Sequence, residues 1–374
     1  MRYKTFQDLQ LSALGMGCMR LPLKGGNSEI DEEQTARMAA YAMTHGINYF
    51  DTAWGYHGGN LESVMGKILS AYPRDAYHLA SKFPGYDLAN MPKVQEIFAR
   101  QLERCQSEYF DFYLFHNVCE LNIDAYLNEE YGILDHLLKQ KEAGRIRHLG
   151  FSAHGSIPVI ERFLNAYGEH MEFCQIQLNY LDWSLQDAKG KVELLNARHI
   201  PIWVMEPLRG GKLCALDEEA MSELQKLRPQ ESMSGWAFRF LQSIPGVTMI
   251  LSGMSDMQQL QENIETFADE QPLNEDEMKT LTGIGRRMST SVPCTACRYC
   301  IEHCPQSLDI PELIRLYNDM VYSDGSFSAR NAVNALPADK QPSACIGCGH
   351  CQALCPQQIH IPDIMRDLAR RISE

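Results

Sequence analysis

The sequence has no run of about 18 or more apolar residues, so it offers no segment able to cross a bilayer as a helix. No apolar core follows Met1-Arg2-Tyr3-Lys4-Thr5, which argues against a secretory leader and for a cytoplasmic location. Positive charge is in short supply: 34 Lys and Arg stand against 48 Asp and Glu, a net charge of −14. Nucleic acid needs a cationic surface, so that partner class is excluded, and the acidity reads as solubility. A glycine-rich dinucleotide turn is also missing. Gly15-x-Gly17 follows the first apolar segment, but Arg20 stands where the third glycine is needed.

What is present is ordinary soluble composition, with 374 residues, 45% of them hydrophobic and 22% charged. That length suits one large domain and a small one. From Leu14 onward, short β-prone segments alternate with amphipathic helical ones. The strands are expected near residues 14–21, 48–51, 77–83, 110–116, 148–152, 173–179, 201–205 and 247–251. Asp31 is a suitable N-cap for the first helix, and Gly46 a suitable left-handed stop. Eight strand–helix units over about 250 residues predict an α/β fold, a closed (β/α)8 TIM barrel. An open doubly wound sheet is the alternative. In a barrel, Asp51, Lys82, His116, Ser152, Gln175 and Glu206 fall at the carboxyl ends of strands, which form the active face.

Four of the polar residues make a proton-donating set. Tyr56 is a weak acid, with an ordinary pKa of about 10. A lysine ammonium such as Lys82 stabilises the phenolate left after donation, and Asp51 keeps that lysine charged. His116 can orient a carbonyl oxygen. The set suits hydride addition to a carbonyl and contains no nucleophile for acyl transfer.

These residues, in this order, resemble the aldo/keto reductases. The likeness runs over about residues 5 to 285. It includes Asp51-Thr52-Ala53-x-x-Tyr56 with Glu62 and Gly66-Lys67, then Ser81-Lys82 and Phe115-His116. It continues through Gly144-Arg145-Ile146-Arg147-x-x-Gly150-Phe151-Ser152, Pro207-Leu208-x-Gly210-Gly211, Ser252-Gly253-Met254-Ser255 and Gln259-Leu260-x-Glu262-Asn263. The resemblance implies a barrel that binds NADP(H), or NAD(H), and reduces a small carbonyl substrate with Tyr56 as acid. It implies contacts to the dinucleotide from Gly17, Met19 and Asp51, with Ser152 and Gln175 on the nicotinamide carboxamide. Met205, Pro207, Leu208, Gly210 and Lys212 are implied along the nicotinamide and diphosphate. Gly253, Ser255, Gln259, Glu262 and Asn263 are implied around the adenosine. The family often has an aromatic residue where Met205 stands, and an arginine for the 2′-phosphate where Gln259 stands. The sequence provides no physical account of Glu206.

Thirteen cysteines are unevenly spread, eight of them between Cys294 and Cys355. Cys294-x-x-Cys297-x-x-Cys300-x-x-x-Cys304-Pro305 is a bacterial ferredoxin run, and Cys345-x-x-Cys348-x-x-Cys351-x-x-x-Cys355-Pro356 repeats it. Three close thiolates hold three corners of a cubane, and the fourth cysteine of each run serves the other cluster. This predicts one [4Fe–4S] cluster on Cys294, Cys297, Cys300 and Cys355, and a second on Cys345, Cys348, Cys351 and Cys304. Zinc, the alternative, prefers paired C-x-x-C. The expected division is a barrel over residues 1–285 and, over 286–374, a linker and a small ferredoxin-like iron–sulfur domain, with a stretch of mixed polarity over about 274–293 as the linker. The amphipathic stretch 311–320 is expected to pack on the barrel.

A nicotinamide transfers two electrons together and a cubane one at a time. No flavin signature is present to mediate between them, although barrels bind flavin without one. Three readings follow. The tail carries electrons to or from an external redox partner protein, or it is structural or redox-sensing beside a plain carbonyl reductase. In the third reading the whole is a dinucleotide-loaded sensor or docking subunit with little turnover.

Overall fold

The fold is described from a computed structural model covering residues 1–25, 29–120, 122–289, 291–292, 294, 298–322, 327–334, 336–355 and 357–373. Strands β1 (Tyr3–Phe6) and β2 (Leu9–Ser12) form an antiparallel hairpin. Eight parallel strands follow: β3 (Leu14–Gly17), β4 (Tyr49–Asp51), β5 (His78–Phe83), β6 (Phe110–Val118), β7 (Ile146–Ala153), β8 (Cys174–Gln177), β9 (Ile202–Met205) and β10 (Val247–Ser252). They pair in chain order, and β10 closes onto β3. The closure, with Ser252 opposite Met16, rules out the open sheet.

The expected helix signals have physical counterparts. The Asp31 carboxylate accepts the Gln34 N–H at the start of helix Glu32–Thr44, and Gly46 (φ 93°) takes the left-handed exit. Val94, Ile97 and Phe98 form the buried face of helix Val94–Arg104.

Alternate strand residues fill the barrel. Tyr49, Phe112, Leu114, Phe173 and Trp203 share one apolar cluster with Phe6 of the hairpin. Phe6 meets the Trp203 ring edge-on at 5.0 Å and so plugs the amino-terminal end. Gly150 faces Phe173, whose ring carbon would lie 2.5 Å from a Cβ there; a larger residue would displace the ring.

The chain forms two compact units, Met1–Thr280 and Leu281–Glu374. The expected linker is mostly the 15-residue helix Glu275–Ser289. Acidic residues fill its first turn, and Arg286 and Arg287 its last, complementing the helix dipole. In the second unit the described residues form α-helices and 3-10 turns, with no strand among them. The resemblance to ferredoxin therefore lies in cysteine spacing, on a helical scaffold.

The repeat in that unit extends well past the cysteines. Arg298 (φ 66°) and Gly349 (φ 77°) occupy the same place in the two runs, as do Ser307 (φ 50°) and Gln358 (φ 54°). Ser307 N–H donates to Cys304 O at 2.8 Å and Gln358 N–H to Cys355 O at 3.0 Å. Each run then enters a 13-residue helix, Ile310–Tyr322 or Ile361–Ser373. The apolar residues of 311–320, including Leu313, Ile314 and Met320, are buried in this unit's own core with Met365 and Leu368. That packing accounts for the amphipathic stretch that sequence reasoning assigned to the barrel.

Candidate active site and cysteine centre

The carboxyl ends of the barrel strands bring the expected set together. Asp51 ends β4, Lys82 lies in β5 beside it, and His116 lies in β6. Tyr56 begins a short 3-10 turn behind β4, where His57 (φ 50°) and Gly58 (φ 65°) reverse the chain. Lys82 is fully buried. Its Nζ donates to Asp51 Oδ2 at 2.6 Å and to Thr52 O at 2.8 Å, and it lies 5.2 Å from the centre of the Tyr56 ring. The Tyr56 and His116 rings meet edge to face at 6.1 Å.

Burial and charge oppose each other at Asp51, Tyr56 and Lys82, and act together at His116. Burial pushes the Tyr56 hydroxyl up, and the Lys82 ammonium pulls it down. Burial works against the charge on Lys82, but Asp51 and then Tyr56 more than offset it, so the ammonium is retained. Burial, aided by Lys82, holds His116 well below the ordinary histidine range, so its ring is neutral at pH 7. A neutral imidazole can donate one hydrogen bond without competing for the proton.

A network behind Lys82 was not found from the sequence. The Gln101 side-chain amide donates to Lys82 O (3.0 Å), Ser81 Oγ (2.8 Å) and Glu62 Oε1 (2.6 Å). Its oxygen accepts the Tyr113 hydroxyl at 2.6 Å. These bonds fix the β5 backbone at the lysine. Glu62 and Ser81 were legible as motif members; Gln101, one residue within a helical pattern, carried no signal.

Other expected site residues line the same end. Gly17 pairs with Asp51, and Met19 is 54% exposed in the turn Cys18–Arg20. Ser152 and Gln175 are buried and paired across β7 and β8. Ser152 Oγ accepts the Asn117 N–H at 2.8 Å, and Gln175 Oε1 is buried without a partner among the described residues. Met205 ends β9. Pro207 and Leu208 lead to the turn Arg209–Cys214, which contains Gly210 (φ 68°), Gly211 (φ 91°) and Lys212.

Gly253 and Ser255 follow β10, while Gln259, Glu262 and Asn263 lie on helix Met257–Thr266. Gln259 Oε1 accepts the Ser255 N–H at 2.9 Å, and Glu262 accepts from Gln258 at 2.8 Å. Asn263 is buried and donates to Ser252 Oγ at 3.2 Å. Glu206, unexplained by sequence, has a left-handed backbone (φ 54°), and its carbonyl accepts from Asn179 at 3.0 Å. Its carboxylate lies 3.8 Å from the Arg20 guanidinium. Orphaned Gln175, a bare glycine turn and nearby cations fit the carboxamide and phosphates of a dinucleotide.

In the second unit, Cys304, Cys345, Cys348 and Cys351 line one apolar cavity with Leu308 and Met365. Burial pushes the Cys351 thiol up, and the charges of the other three push it further. The cationic core of an iron–sulfur cluster would offset that repulsion, so the donors fit one. Of the other four, Cys300 is buried, Cys294 and Cys355 pack on the same core, and Cys297 lies outside the described residues. Among the described residues, no three His, Cys, Asp or Glu side chains close around a single ion. Away from the runs, Cys18, Cys105 and Cys174 are buried thiols with raised pKa values, suited to core packing. Among the described residues no helix is long and apolar enough to cross a membrane.

The aldo/keto reductase family model matches residues 13–286, and a 4Fe-4S dicluster domain model matches residues 293–360. An uncharacterized oxidoreductase of Bacillus subtilis, YqkF, is 26% identical over 309 residues, covering 73% of this chain and 92% of that protein. The holo form of an aldo-keto reductase from Bacillus halodurans superposes with a TM-score of 0.63 at 23% identity, covering 76% of this chain and 96% of its own. An aldo-keto reductase from Klebsiella pneumoniae, solved in complex with NADPH, gives 0.60 at 19% identity, covering 76% and 95%. The chain is thus a member of the aldo/keto reductase family, an oxidoreductase barrel followed by a 4Fe-4S dicluster domain.

Proposed function

We propose that the barrel reduces an aldehyde or ketone with NADPH or NADH, and that Tyr56 donates the proton. The observation that carries this reading is the buried Lys82 ammonium, held by Asp51 and facing the Tyr56 ring. A bound reduced nicotinamide would supply the hydride. Tyr56 gives its proton to the carbonyl oxygen, and Lys82 stabilises the phenolate it leaves. Neutral His116 donates a hydrogen bond to the same oxygen before transfer. Asp51 holds Lys82 charged and in place. Gln175 and Ser152 would hold the carboxamide, and the residues from Met205 to Lys212 the nicotinamide and diphosphate. Gly253, Ser255, Gln259 and Glu262 are assigned to the adenosine end. Asn263 serves it indirectly, through Ser252. The NADPH complex of the Klebsiella neighbour supports the phosphorylated cofactor, and an Escherichia coli relative named an NADH-specific methylglyoxal reductase supports the other.

We assign Cys345, Cys348, Cys351 and Cys304 to one [4Fe–4S] cluster and Cys294, Cys297, Cys300 and Cys355 to a second. Such clusters pass single electrons. The shared cavity lined by three cysteines of one run and the last of the other favours this crossed assignment. Protein purified without oxygen should hold about eight irons per chain; stoichiometric zinc would contradict the assignment.

Turnover is tested on the same preparation with NADPH or NADH and a panel of aldehydes and ketones, following loss of reduced nicotinamide. Carbonyl-dependent oxidation is expected. Tight dinucleotide binding with no turnover on any carbonyl would favour the sensor reading. Anaerobic titration with NADPH, with and without added flavin, separates a conduit from a structural tail. Clusters that bleach place the tail in electron flow; clusters that stay oxidised remove it.

A further inference from the structure

We propose that the second cysteine run presents a docking face for a one-electron carrier protein, which approaches over Ile346 and Leu354 by apolar contact and without charge steering. The inference rests on the iron–sulfur assignment above. Residues 341–360 contain no Asp, Glu, Lys or Arg, in a chain whose net charge is −14. The matching stretch about the first run, residues 291–310, contains Arg298, Glu302 and Asp309. Position by position, Ile346 stands where the first run has Thr295, and Leu354 where it has His303.

Ile346 is 63% exposed and Leu354 43%; among the described residues of the second unit they are the large apolar side chains left open to solvent. In sequence they lie on either side of Cys348, which is itself exposed. Gly347 (φ 69°) and Gly349 (φ 77°) border that cysteine, and a Cβ added at either would meet nothing within 4 Å. Ile346 also lines the cavity shared by Cys304, Cys345, Cys348 and Cys351. A cluster ligand thus reaches the surface between bare backbone and two apolar side chains. Loss of charge together with exposed apolar area marks the centre of a protein interface. The cysteine at its middle specifies the occupant: a carrier whose own redox centre has an uncharged, apolar rim. One electron leaves the reduced cluster and the carrier gains it; no bond breaks and no proton moves.

The test uses the full chain with its clusters, reduced and then mixed with oxidised flavodoxin, an acidic one-electron carrier. Semiquinone formation is followed by stopped flow at high salt, with iron content as the loading control. The outer-sphere oxidant hexaammineruthenium(III), which needs no docking face, is run in parallel. Ile346→Asp, Ile346→Lys and Leu354→Gln should each slow transfer to flavodoxin about tenfold, because an apolar face loses contact whichever polar group replaces it. Transfer to the ruthenium complex should stay within about twofold. Arg298→Gln, in the first run, should also leave the flavodoxin rate within about twofold, since salt screens an exposed charge.

Faster transfer in Ile346→Lys, unchanged rates in the Ile346 and Leu354 variants, or an equal loss in Arg298→Gln would each overturn the assignment. So would clusters that the ruthenium complex oxidises and flavodoxin does not. A doubled molecular mass that reverts to one chain in Ile346→Asp would give the face to a second copy and overturn it as well. Protein without iron would contradict the cluster reading itself, and the docking face with it.

Discussion

The two ends of the barrel both bury charge, and they treat it differently. At the amino-terminal end Asp111 accepts from Arg74 (2.6 Å) and the Leu79 N–H (2.9 Å), with His78 and Arg147 at 3.5 and 3.6 Å. Glu172 accepts from His148, Lys141, Gln7 and the Leu149 N–H. Each oxygen of the two carboxylates has a partner. At the carboxyl end, Asp51 Oδ1, Gln175 Oε1 and His116 Nδ1 are buried with none among the described residues. Left-handed backbones occur at both ends, at Gln7, Gln106 and His199 as at Asn117, Glu206 and Arg209, so they do not separate the two. Saturated charge closes a structure, while buried polar atoms left unpaired persist where a ligand completes the set.

The first way to break this comparison is Lys82→Met, which strands Asp51 in the mouth. Turnover should fall by about 10² to 10⁴, and stability by roughly 3–5 kcal/mol, read by single-turnover kinetics and denaturant melts. A fall in stability alone would place Lys82 with the structural charges. Asp111→Asn at the other end should do the reverse. It should cost about 2–3 kcal/mol through weakened partners for Arg74 and Leu79, with turnover per folded molecule unchanged. A slower chemical step in that variant would erase the distinction.

Gln101→Leu tests whether the mouth needs its backing. With Lys82 O and Ser81 less firmly held, turnover should drop about tenfold, and dinucleotide affinity should stay constant. The smallest effect concerns acid stability. Burial raises Glu172, but His148, Lys141 and the Leu149 N–H outweigh it and hold the carboxyl at about 2 in place of 4.5. A depressed carboxyl contributes stability above its unfolded value, and that contribution is lost as pH falls from about 4.5 towards 2. Glu172→Gln should therefore flatten the melting temperature over that window and lower it above. An unchanged acid profile would show that Glu172 is not a source of it.

The barrel was legible because its strands are buried on both faces and read as short apolar runs, each followed by an amphipathic helix. Asp51, Lys82 and His116 were legible because polar residues at the ends of such runs are conspicuous. Gln101 was hidden in an ordinary helix. The Arg20–Glu206 contact was hidden because only closure of the barrel brings the turns after β3 and β9 together. Eight tail cysteines were visible through their spacing, but spacing prescribes ligands and leaves the scaffold open. The repeated 13-residue helices emerge only when the positions after each Cys-Pro are compared. The linker read as mixed in polarity because charges at both ends of helix Glu275–Ser289 flank the apolar face of Leu281 and Ile284.

Tyr56→Phe tests the central claim most directly, since it deletes one oxygen at the mouth and leaves the ring over Lys82. Turnover on a carbonyl and the dissociation constant for NADPH should be measured on the same preparation. The account predicts that carbonyl reduction is lost by at least about 10²-fold while NADPH binding is nearly unchanged. Undiminished reduction in this variant would contradict it.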